Sequence, residues 1–487
     1  MIQKFYHRIL NNLSSNKIFY KYNHINYKYL DLRKIFFSFI KFLESREKSK
    51  NNKICVISEK SFLSYSISIS ILLSNNTWIP LSSKLPKYRL IKMIKLLNPD
   101  IIIVDNKNSK HLKVLKKTFF ITTINELNKY RGSRLKKFLI THKPNDIAVI
   151  FFTSGSTGEA KGIEIKQSNF LPSFFSQIER IYKNNKKMVF ADFHDLSFII
   201  SLNILIPCVY SKSTIVPAIS NFDNIFPHKH IKKNKVNVLI TVPSFMNQIK
   251  KISNENTMLN NLKLVVMCGE TFHYNLLNYI IENCKKSRIF NCYGSTELSP
   301  WVFSYEYKKS DHKIIKKLKI VPIGKKFKFV KFIIHKRELI ISGPSVVQGY
   351  LNNISDNKKF ILKKPYNSFK TGDIALKTRN LIFIKGRKDT QIKMHGFRVD
   401  LLDIESTLKI NKNISNAIVI VKKKDRYNKI IIALVETKKN LVENHISNFL
   451  ESKLPFYMMP NKYQIFKNFP KNKNGKVDRK KLNEKVL

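Results

Sequence analysis

The sequence predicts an α/β protein with parallel sheets and more than one domain. Two observations support this fold class. Short apolar runs typical of buried strands alternate with helical patterns along the first part of the chain, an order that favours parallel sheets. The chain has 487 residues. A single hydrophobic core rarely grows that large, so we expect about two to four domains.

The first strands are recognised as apolar residues between turn signals. Residues 54–58 and 99–104 are predicted strands, and residues 78–81 form another apolar run after an apolar helix. Residues 146–152 are the clearest strand, because six consecutive apolar side chains follow Asp146. Ligands of parallel α/β sheets bind beyond the carboxyl ends of the strands, so we expect a binding site just after residue 152.

A loop rich in glycine and hydroxyl side chains follows this strand. Glycine lets the backbone approach a polyanion closely, hydroxyl groups donate to phosphate oxygens, and a lysine adds positive charge. The spacing fits neither the Walker pattern nor the dinucleotide fingerprint, so another class of phosphate loop is predicted. The residues predicted to bind nucleotide phosphates are Thr153, Ser154, Gly155, Ser156, Thr157, Gly158 and Lys161.

A second polar segment, residues 291–297, combines groups suited to a nucleotide and its metal ion. Tyr293 offers a flat face for adenine, and Thr296 offers a hydroxyl group for phosphate. Glu297 offers a hard oxygen for Mg²⁺, which usually binds through few carboxylates and the phosphates of its substrate. The segment therefore predicts a magnesium-nucleotide site.

These two segments resemble motifs of the adenylate-forming superfamily, which includes acyl-CoA synthetases, luciferases and the adenylation domains of peptide synthetases. The loop after residue 152 is similar to the family's phosphate loop, and residues 291–297 are similar to its NxYGxTE segment. Ala160 departs from the family, which often has proline there. Further segments resemble family motifs in the family's order, so that the resemblance covers nearly the whole chain: residues 268–270, 338–350, 371–373, 386–405, 454–460 and 474–479.

The resemblance implies the fold of that superfamily. Residues 1–388 would form a large amino-terminal domain of packed α/β subdomains, and residues 389–487 would form a small mobile α+β lid domain. Asp389 would be the hinge residue, because a few residues between elements absorb the backbone change in such motions. Lys476 would enter the site during adenylation and neutralise charge between the carboxylate and the α-phosphate.

The resemblance also implies roles for other residues. Asp373 would hold the ribose hydroxyls, and Arg387 would reach the ribose and phosphate region. Thr153, Glu297 and Lys476 are the predicted catalytic residues, and Glu297 is the predicted metal ligand. The remaining positions predicted to bind ATP are Gly269, Glu270, Asn291, Tyr293, Gly294 and Thr296.

The resemblance implies that a carboxylate and MgATP react to give an acyl-adenylate and pyrophosphate. Asp195 aligns with the aspartate that pairs with the substrate α-ammonium group in amino-acid adenylation domains. An acid without the amine would leave this carboxylate unpaired, so we predict a small amino acid as substrate. Residues 195–197 and 268–270 most resemble the D-alanine ligases that charge a carrier protein. The other predicted pocket residues are Leu196, Ile199, Cys268, Cys292 and Trp301.

Two residues keep an acyl- or aryl-CoA synthetase open as the alternative. His194 stands where amino-acid enzymes usually have phenylalanine, whereas acyl-CoA synthetases place a histidine near that point. Ser295 departs from the YGP sequence of peptide synthetases. A homologue that binds nucleotide without turnover is a more distant alternative.

The acceptor thiol is expected on another molecule, because little sequence follows the last motif. We predict transfer to the phosphopantetheine of a separate carrier protein, with coenzyme A as the alternative acceptor. The implied cofactors are ATP and Mg²⁺.

Composition sets limits on other functions. The net charge of +56 would ordinarily suggest nucleic-acid binding. The lysines are spread along the chain without a basic stripe or aromatic platform, so no specific nucleic acid is predicted. The five cysteines form no CxxC pair, and neither a disulfide framework nor a zinc site is expected. No segment has the pattern of a signal peptide or of a membrane span, so a cytoplasmic location is predicted.

Overall fold

In the computed structural model the chain forms two compact units. Unit 1 comprises Met1–Ser83, Leu97–Phe152 and Gly162–Lys388, and unit 2 comprises Lys84–Leu96, Thr153–Lys161 and Asp389–Leu487. The division of the chain into a body of residues 1–388 and a mobile lid stays a prediction. The structure describes all residues except 49, 106–114, 116–117, 128, 131–140, 155–159, 184–186, 253–258, 353–355, 395, 424–428, 438, 440, 471–476, 478, 485 and 487.

A nine-stranded sheet is the largest element of unit 1. Its inner pairings are parallel, and antiparallel strands lie at both edges. The strands in spatial order are β15 (Lys325–Lys326), β14 (Trp301–Glu306), β13 (Arg288–Gly294), β12 (Leu264–Cys268), β11 (Val238–Thr241), β9 (Val189–Asp192), β10 (Thr214–Pro217), β1 (Ile18–Tyr22) and β2 (Ile25–Lys28).

A six-stranded sheet forms the second layer of strands in unit 1. The pairs β5–β6, β3–β5, β3–β4 and β4–β7 are parallel, as the sequence predicted. The strands in spatial order are β6 (Ile121–Thr123), β5 (Ile101–Val104), β3 (Lys53–Ile57), β4 (Thr77–Leu81), β7 (Ile147–Thr153) and β8 (Lys161–Lys166).

A five-stranded antiparallel sheet completes the strands of unit 1. It contains β16 (Lys331–His335), β17 (Glu338–Ser342), β18 (Phe360–Ile361), β19 (Ser368–Thr378) and β20 (Leu381–Arg387). The helices up to this point of the chain are α1 (Ile2–Asn12), α2 (Tyr29–Glu44), α3 (Phe62–Leu73), α4 (Lys87–Leu97), α5 (Ile124–Leu127), α6 (Gln167–Arg180), α7 (Ile200–Tyr210), α8 (Asn221–Ile225), α9 (Pro227–Lys233), α10 (Pro243–Ile252), α11 (Tyr274–Asn283) and α12 (His312–Leu318).

The strands of unit 2 form two small sheets. β21 (Gln391–Met394) and β22 (Phe397–Asp400) are an antiparallel pair. The three-stranded sheet pairs β24 with an antiparallel and a parallel neighbour. Its strands are β23 (Asn416–Lys423), β24 (Lys429–Glu436) and β25 (Lys462–Phe466), and the accompanying helices are α13 (Leu401–Lys409), α14 (Glu443–Glu451) and α15 (Arg479–Glu484).

One continuous hydrophobic core joins the two large sheets of unit 1. Trp78 and Phe151 from the six-stranded sheet belong to the same buried cluster as Phe190 and Phe290 from the nine-stranded sheet. Unit 2 has separate clusters of its own, built on β23 and β24. In the part of the chain that the structure describes, no helix is both long and apolar enough to cross a membrane.

Candidate active site

The carboxyl edge of the nine-stranded sheet collects most of the predicted pocket residues. Asp192 ends β9, Cys268 ends β12 and Gly294 ends β13. Parallel strands end at the same edge, so these residues share one side of the sheet, where α/β proteins bind ligands. Trp301 begins the antiparallel β14 in register with Gly294 and therefore lies at the same edge.

Gly294 is required by the close approach of two strands at this edge. A Cβ atom at this position would come within 1.8 Å of the carbonyl oxygen of Pro300. No side chain fits there, so the backbone of β13 can pair with the start of β14 only through glycine.

Tyr293, Asp373 and Arg387 form a buried cluster. The Tyr293 hydroxyl donates a short hydrogen bond to Asp373 Oδ2, and Arg387 Nη1 lies 2.9 Å from Asp373 Oδ1. Burial raises the pKa of Tyr293 well above its usual value, and the charge of Asp373 raises it further, so the phenol stays protonated. The three residues come from different strands, β13, β19 and β20, and the structure brings them together.

Glu297 is fully buried in a short 3-10 helix, Thr296–Leu298. Tyr350 donates its hydroxyl hydrogen to Glu297 Oε1 at 2.7 Å, and Thr296 beside it is half-buried. Among the described residues, no group of three or more His, Cys, Asp or Glu side chains is placed to hold a metal ion. A single buried carboxylate therefore fits a Mg²⁺ ion that is bound mainly through nucleotide phosphates.

The structure describes only part of the predicted phosphate loop. Thr153 ends β7, and Ser154 Oγ donates to the carbonyl oxygen of Arg398 at 2.7 Å. Lys161 begins β8 and is only 1% exposed. Gly155, Ser156, Thr157 and Gly158 lie outside the described residues, as does Lys476.

Two other residues predicted to bind ATP have side-chain contacts with the backbone, and a third has a special backbone conformation. Glu270 accepts from the backbone N–H and the hydroxyl of Ser244, at 2.8 and 3.0 Å. Asn291 donates to the carbonyl oxygens of Val321 and Pro322. Gly269 has a φ of +80°, a conformation that favours glycine.

Asp195 is the centre of a second polar cluster. Its Oδ1 accepts from the backbone N–H and the hydroxyl of Ser197, at 2.9 and 2.7 Å. Its Oδ2 accepts from the hydroxyl of Ser82 at 2.8 Å. Leu196 is buried and Ile199 is half-buried in the same segment. A carboxylate held in this way is suited to a cationic partner.

The predicted pocket walls are closely packed. Cys268 and Cys292 are register partners on neighbouring parallel strands, and both side chains are almost completely buried. Trp301 is also buried. Tyr182 is buried, and this burial raises its pKa well above the usual value, with smaller contributions from Cys292 and Cys268. These predicted wall residues are therefore all buried.

His194 keeps a neutral imidazole in this region. Burial lowers its pKa to about 4, and no described residue pairs with its Nε2 atom. Its backbone N–H donates to Asp192, which also accepts from the Tyr65 hydroxyl. The sequence reasoning missed Ser82, Asp192 and Tyr65; the signal for the first two is that Asp192 ends a parallel strand and Ser82 directly follows one.

Comparison with known proteins identifies the family. The model of the AMP-binding enzyme family matches residues 10–351, and that of the AMP-binding enzyme C-terminal domain matches residues 403–476. The chain belongs to the AMP-binding enzyme family. The predicted α/β fold and the predicted AMP-forming ligase class are confirmed.

Curated relatives of the chain include proteins named D-alanine–D-alanyl carrier protein ligase. The protein from Bacillus licheniformis is 32% identical over 364 residues, covering 70% of this chain and 71% of its own. The protein from Staphylococcus epidermidis is 30% identical over 443 residues, covering 86% of each chain.

Solved structures of adenylate-forming proteins share the fold. The adenylation domain AlmE of Vibrio cholerae, in complex with glycyl-adenosine-5'-phosphate, has a TM-score of 0.85 at 20% identity and covers 99% of this chain and 97% of that one. An o-succinylbenzoate CoA synthetase of Bacillus subtilis has a TM-score of 0.84 at 17% identity and covers 98% of each chain. At these identities, the likeness supports the fold.

Proposed function

We propose that the protein activates D-alanine with ATP and transfers it to the phosphopantetheine thiol of a separate carrier protein. The relatives named D-alanine–D-alanyl carrier protein ligase support this choice of substrate and acceptor. In the first step the carboxylate displaces pyrophosphate and forms aminoacyl-adenylate. In the second step the carrier thiol displaces AMP and forms a thioester. A cytoplasmic location is part of the proposal, since the reaction consumes ATP.

The Asp195 cluster is the observation that carries the proposal. Its carboxylate holds three protein donors, on Ser82 and Ser197, and each is neutral. Neutral donors orient the carboxylate without compensating its charge, which leaves the charge for the substrate ammonium group. An acid without the amine would leave that charge without a cation, a cost that selects for amino acids.

The small size of the substrate is supported by the buried walls. Cys268, Cys292 and Trp301 are each less than 5% exposed. Tyr182 is buried as well. We infer that the methyl group of alanine fits where a longer side chain would clash.

Catalysis in this proposal depends on positioning and on charge neutralisation. The carboxylate attacks the α-phosphate in line with the leaving pyrophosphate, so the chain's main task is to hold both groups close and aligned. Asp373, with Tyr293 and Arg387, would bind the ribose side of the nucleotide. Lys476 would neutralise the negative charge that develops between the carboxylate and the phosphate.

Mg²⁺ belongs to the proposal as the partner of the ATP phosphates. Glu297 would hold it together with the phosphates of the nucleotide. When bound, the ion would neutralise phosphate charge and favour the departure of pyrophosphate. Tyr350 keeps the Glu297 carboxylate in one orientation through its hydroxyl donor.

Pyrophosphate exchange with purified protein tests the first step. We expect exchange with D-alanine that exceeds exchange with L-alanine, propionate and benzoate, and a strongly raised KM for D-alanine in Asp195→Asn. Exchange with propionate or benzoate alone would replace this proposal with an acyl- or aryl-CoA synthetase. No exchange with any acid, despite nucleotide binding, would indicate a non-catalytic homologue.

The acceptor is tested by single-turnover transfer from preformed adenylate. We expect thioester on a holo carrier protein and little on free coenzyme A. Efficient transfer to coenzyme A with none to any carrier protein would overturn this part of the proposal.

A further inference from the structure

A hydroxyl group from the six-stranded sheet contacts the carboxylate that we assign to the substrate amine. Ser82 directly follows β4 of that sheet, whereas Asp195 follows β9 of the nine-stranded sheet. Ser82 Oγ donates to Asp195 Oδ2 at 2.8 Å. The contact therefore joins the carboxyl ends of two different sheets within unit 1.

The three donors on Asp195 leave one acceptor position open. A carboxylate has about four lone-pair positions, two on each oxygen. The two groups of Ser197 fill those of Oδ1, and Ser82 fills one of Oδ2. The described residues supply no further donor to this carboxylate. The open position is therefore on Oδ2, at an angle to the Ser82 hydrogen bond.

The segment that carries Asp195 is fixed in place by neighbouring contacts. Tyr65 on α3 donates a short hydrogen bond to Asp192, and Lys60 Nζ donates to the carbonyl oxygen of Asp192 at 2.9 Å. His194 N–H donates to Asp192 Oδ1 at 3.0 Å. These contacts hold the backbone before Asp195, and Ser82 then limits rotation of the carboxylate itself.

We propose that Ser82 is a positioning residue for the substrate ammonium group. By occupying one lone pair of Oδ2, it directs the remaining lone pair towards the amine of the amino acid. Ser82 acts through Asp195 and does not contact the reacting atoms. This inference rests on the proposed function, because it requires a substrate with an amine beside its carboxylate.

The kinetic test is the Ser82→Ala variant in pyrophosphate exchange. Hydrogen bonds to charged groups are strong enough that we expect the KM for D-alanine to rise about ten-fold. The kcat and the KM for ATP should stay within about two-fold, because the amine is held equally in the ground state and the transition state and only this uniform binding is weakened. Ser82→Thr keeps the hydroxyl and should restore most of the affinity. Ser83→Ala, the neighbouring serine, is the matched control and should behave as the wild type.

A double-mutant cycle separates positioning from a structural role. If Ser82 acts through the charge of Asp195, Ser82→Ala should add nothing to the KM defect of Asp195→Asn. Full additivity, an equal loss of affinity for ATP, or an unchanged KM for D-alanine would overturn the inference while leaving the proposed function standing. Absence of exchange with any amino acid in the wild type would instead remove the proposed function, and this inference with it.

Discussion

The carboxylate of Asp373 contacts both Tyr293 and Arg387. Removing its negative charge tests its role in binding ATP. Asp373→Asn keeps the size of the side chain but takes away the charge opposite Arg387. Hydrogen bonds to charged groups are worth enough that we expect the KM for ATP to rise about ten- to one hundred-fold. Pyrophosphate exchange at varied ATP concentrations measures this KM. Asp195→Asn is the matched control, which should raise the KM for the amino acid and leave the KM for ATP unchanged; equal effects of both variants would contradict the separate roles.

Lys476 lies outside the described residues, and assays of the two reaction steps test its role. Lys476→Ala should abolish adenylate formation, because the charge between the carboxylate and the α-phosphate is then not neutralised. The variant should still transfer D-alanine from preformed adenylate to the carrier. Lys462→Ala, an exposed lysine on β25, should affect neither step. Equal loss of both steps in Lys476→Ala would argue against a role confined to adenylation.

At the residue scale, the sequence could predict the chemical roles of several residues but not all of their contacts. Asp373 and Arg387 could be predicted because each stands in a short motif with a fixed spacing. Ser82 could not be assigned to Asp195, because the two residues lie 113 positions apart and come together only when two sheets pack. Asn291 was predicted to bind ATP, yet its side chain donates to backbone carbonyl groups; sequence does not tell which way an amide points.

The first helix is attached to the core through a buried histidine. Tyr6 of α1 stacks on His142 with ring centroids 3.6 Å apart, and His142 Nε2 bonds to the carbonyl oxygen of Leu72 at 2.8 Å. Burial lowers the pKa of His142 to about 4. The unfolded chain has a histidine pKa of about 6.5, so it binds more protons than the folded chain between the two values. Stability is therefore full above the unfolded pKa and falls as the pH drops towards the folded one.

We expect acidification to destabilise the protein through this contact. When the pH falls from about 7 to about 5, protonation of His142 in the unfolded chain should lower the free energy of unfolding by on the order of 2 kcal/mol. The midpoints of urea unfolding at the two pH values measure this loss of stability. His142→Gln keeps a donor for Leu72 without a titrating group and should show a smaller pH effect, whereas His24→Gln, at an exposed position, should keep the full effect. An identical pH effect in all three proteins would exclude this cause.

Element α3 is the apolar helix that the sequence predicted before residues 78–81. Its serines and isoleucines alternate, a period typical of strands, yet residues 62–73 form a helix that is buried almost all round. The hydroxyls of Ser66, Ser68 and Ser70 donate to carbonyl oxygens one turn earlier, so burial leaves them satisfied. The strands around it could be predicted, because runs of β-branched residues between turn signals leave fewer alternatives.

The order of motifs along the chain was sufficient to predict the family and the α/β class of the whole molecule. It did not predict that Lys84–Leu96 and Thr153–Lys161 cluster with the carboxyl-terminal residues in unit 2. Arg89 on α4 accounts for part of this grouping, since it forms a buried ion pair with Asp403 at 2.5 Å. The pairing of residues 314 positions apart is a consequence of tertiary packing that local sequence does not contain.

At the scale of the whole molecule, the junction between Lys388 and Asp389 would control the change from the adenylation step to the transfer step. Lys388 is the last residue of unit 1, where its N–H donates to Gly372 at 2.8 Å, and Asp389 is the first residue of this part of unit 2. Proline fixes φ near about −65° and removes the N–H group. If the lid rotates here, Asp389→Pro should keep pyrophosphate exchange but reduce transfer to the carrier at least about ten-fold, because hinge residues must absorb the backbone change.

Asp389→Ala separates the backbone from the side chain in this test. Alanine removes the carboxylate, which accepts from Gln391 N–H at 3.4 Å, but it leaves φ free. Both steps should therefore proceed in Asp389→Ala, measured by exchange and by single-turnover transfer to the carrier. If the alanine variant lost transfer as fully as the proline variant, the carboxylate would be the required group. If neither variant lost transfer, the rotation would have its pivot elsewhere in the chain.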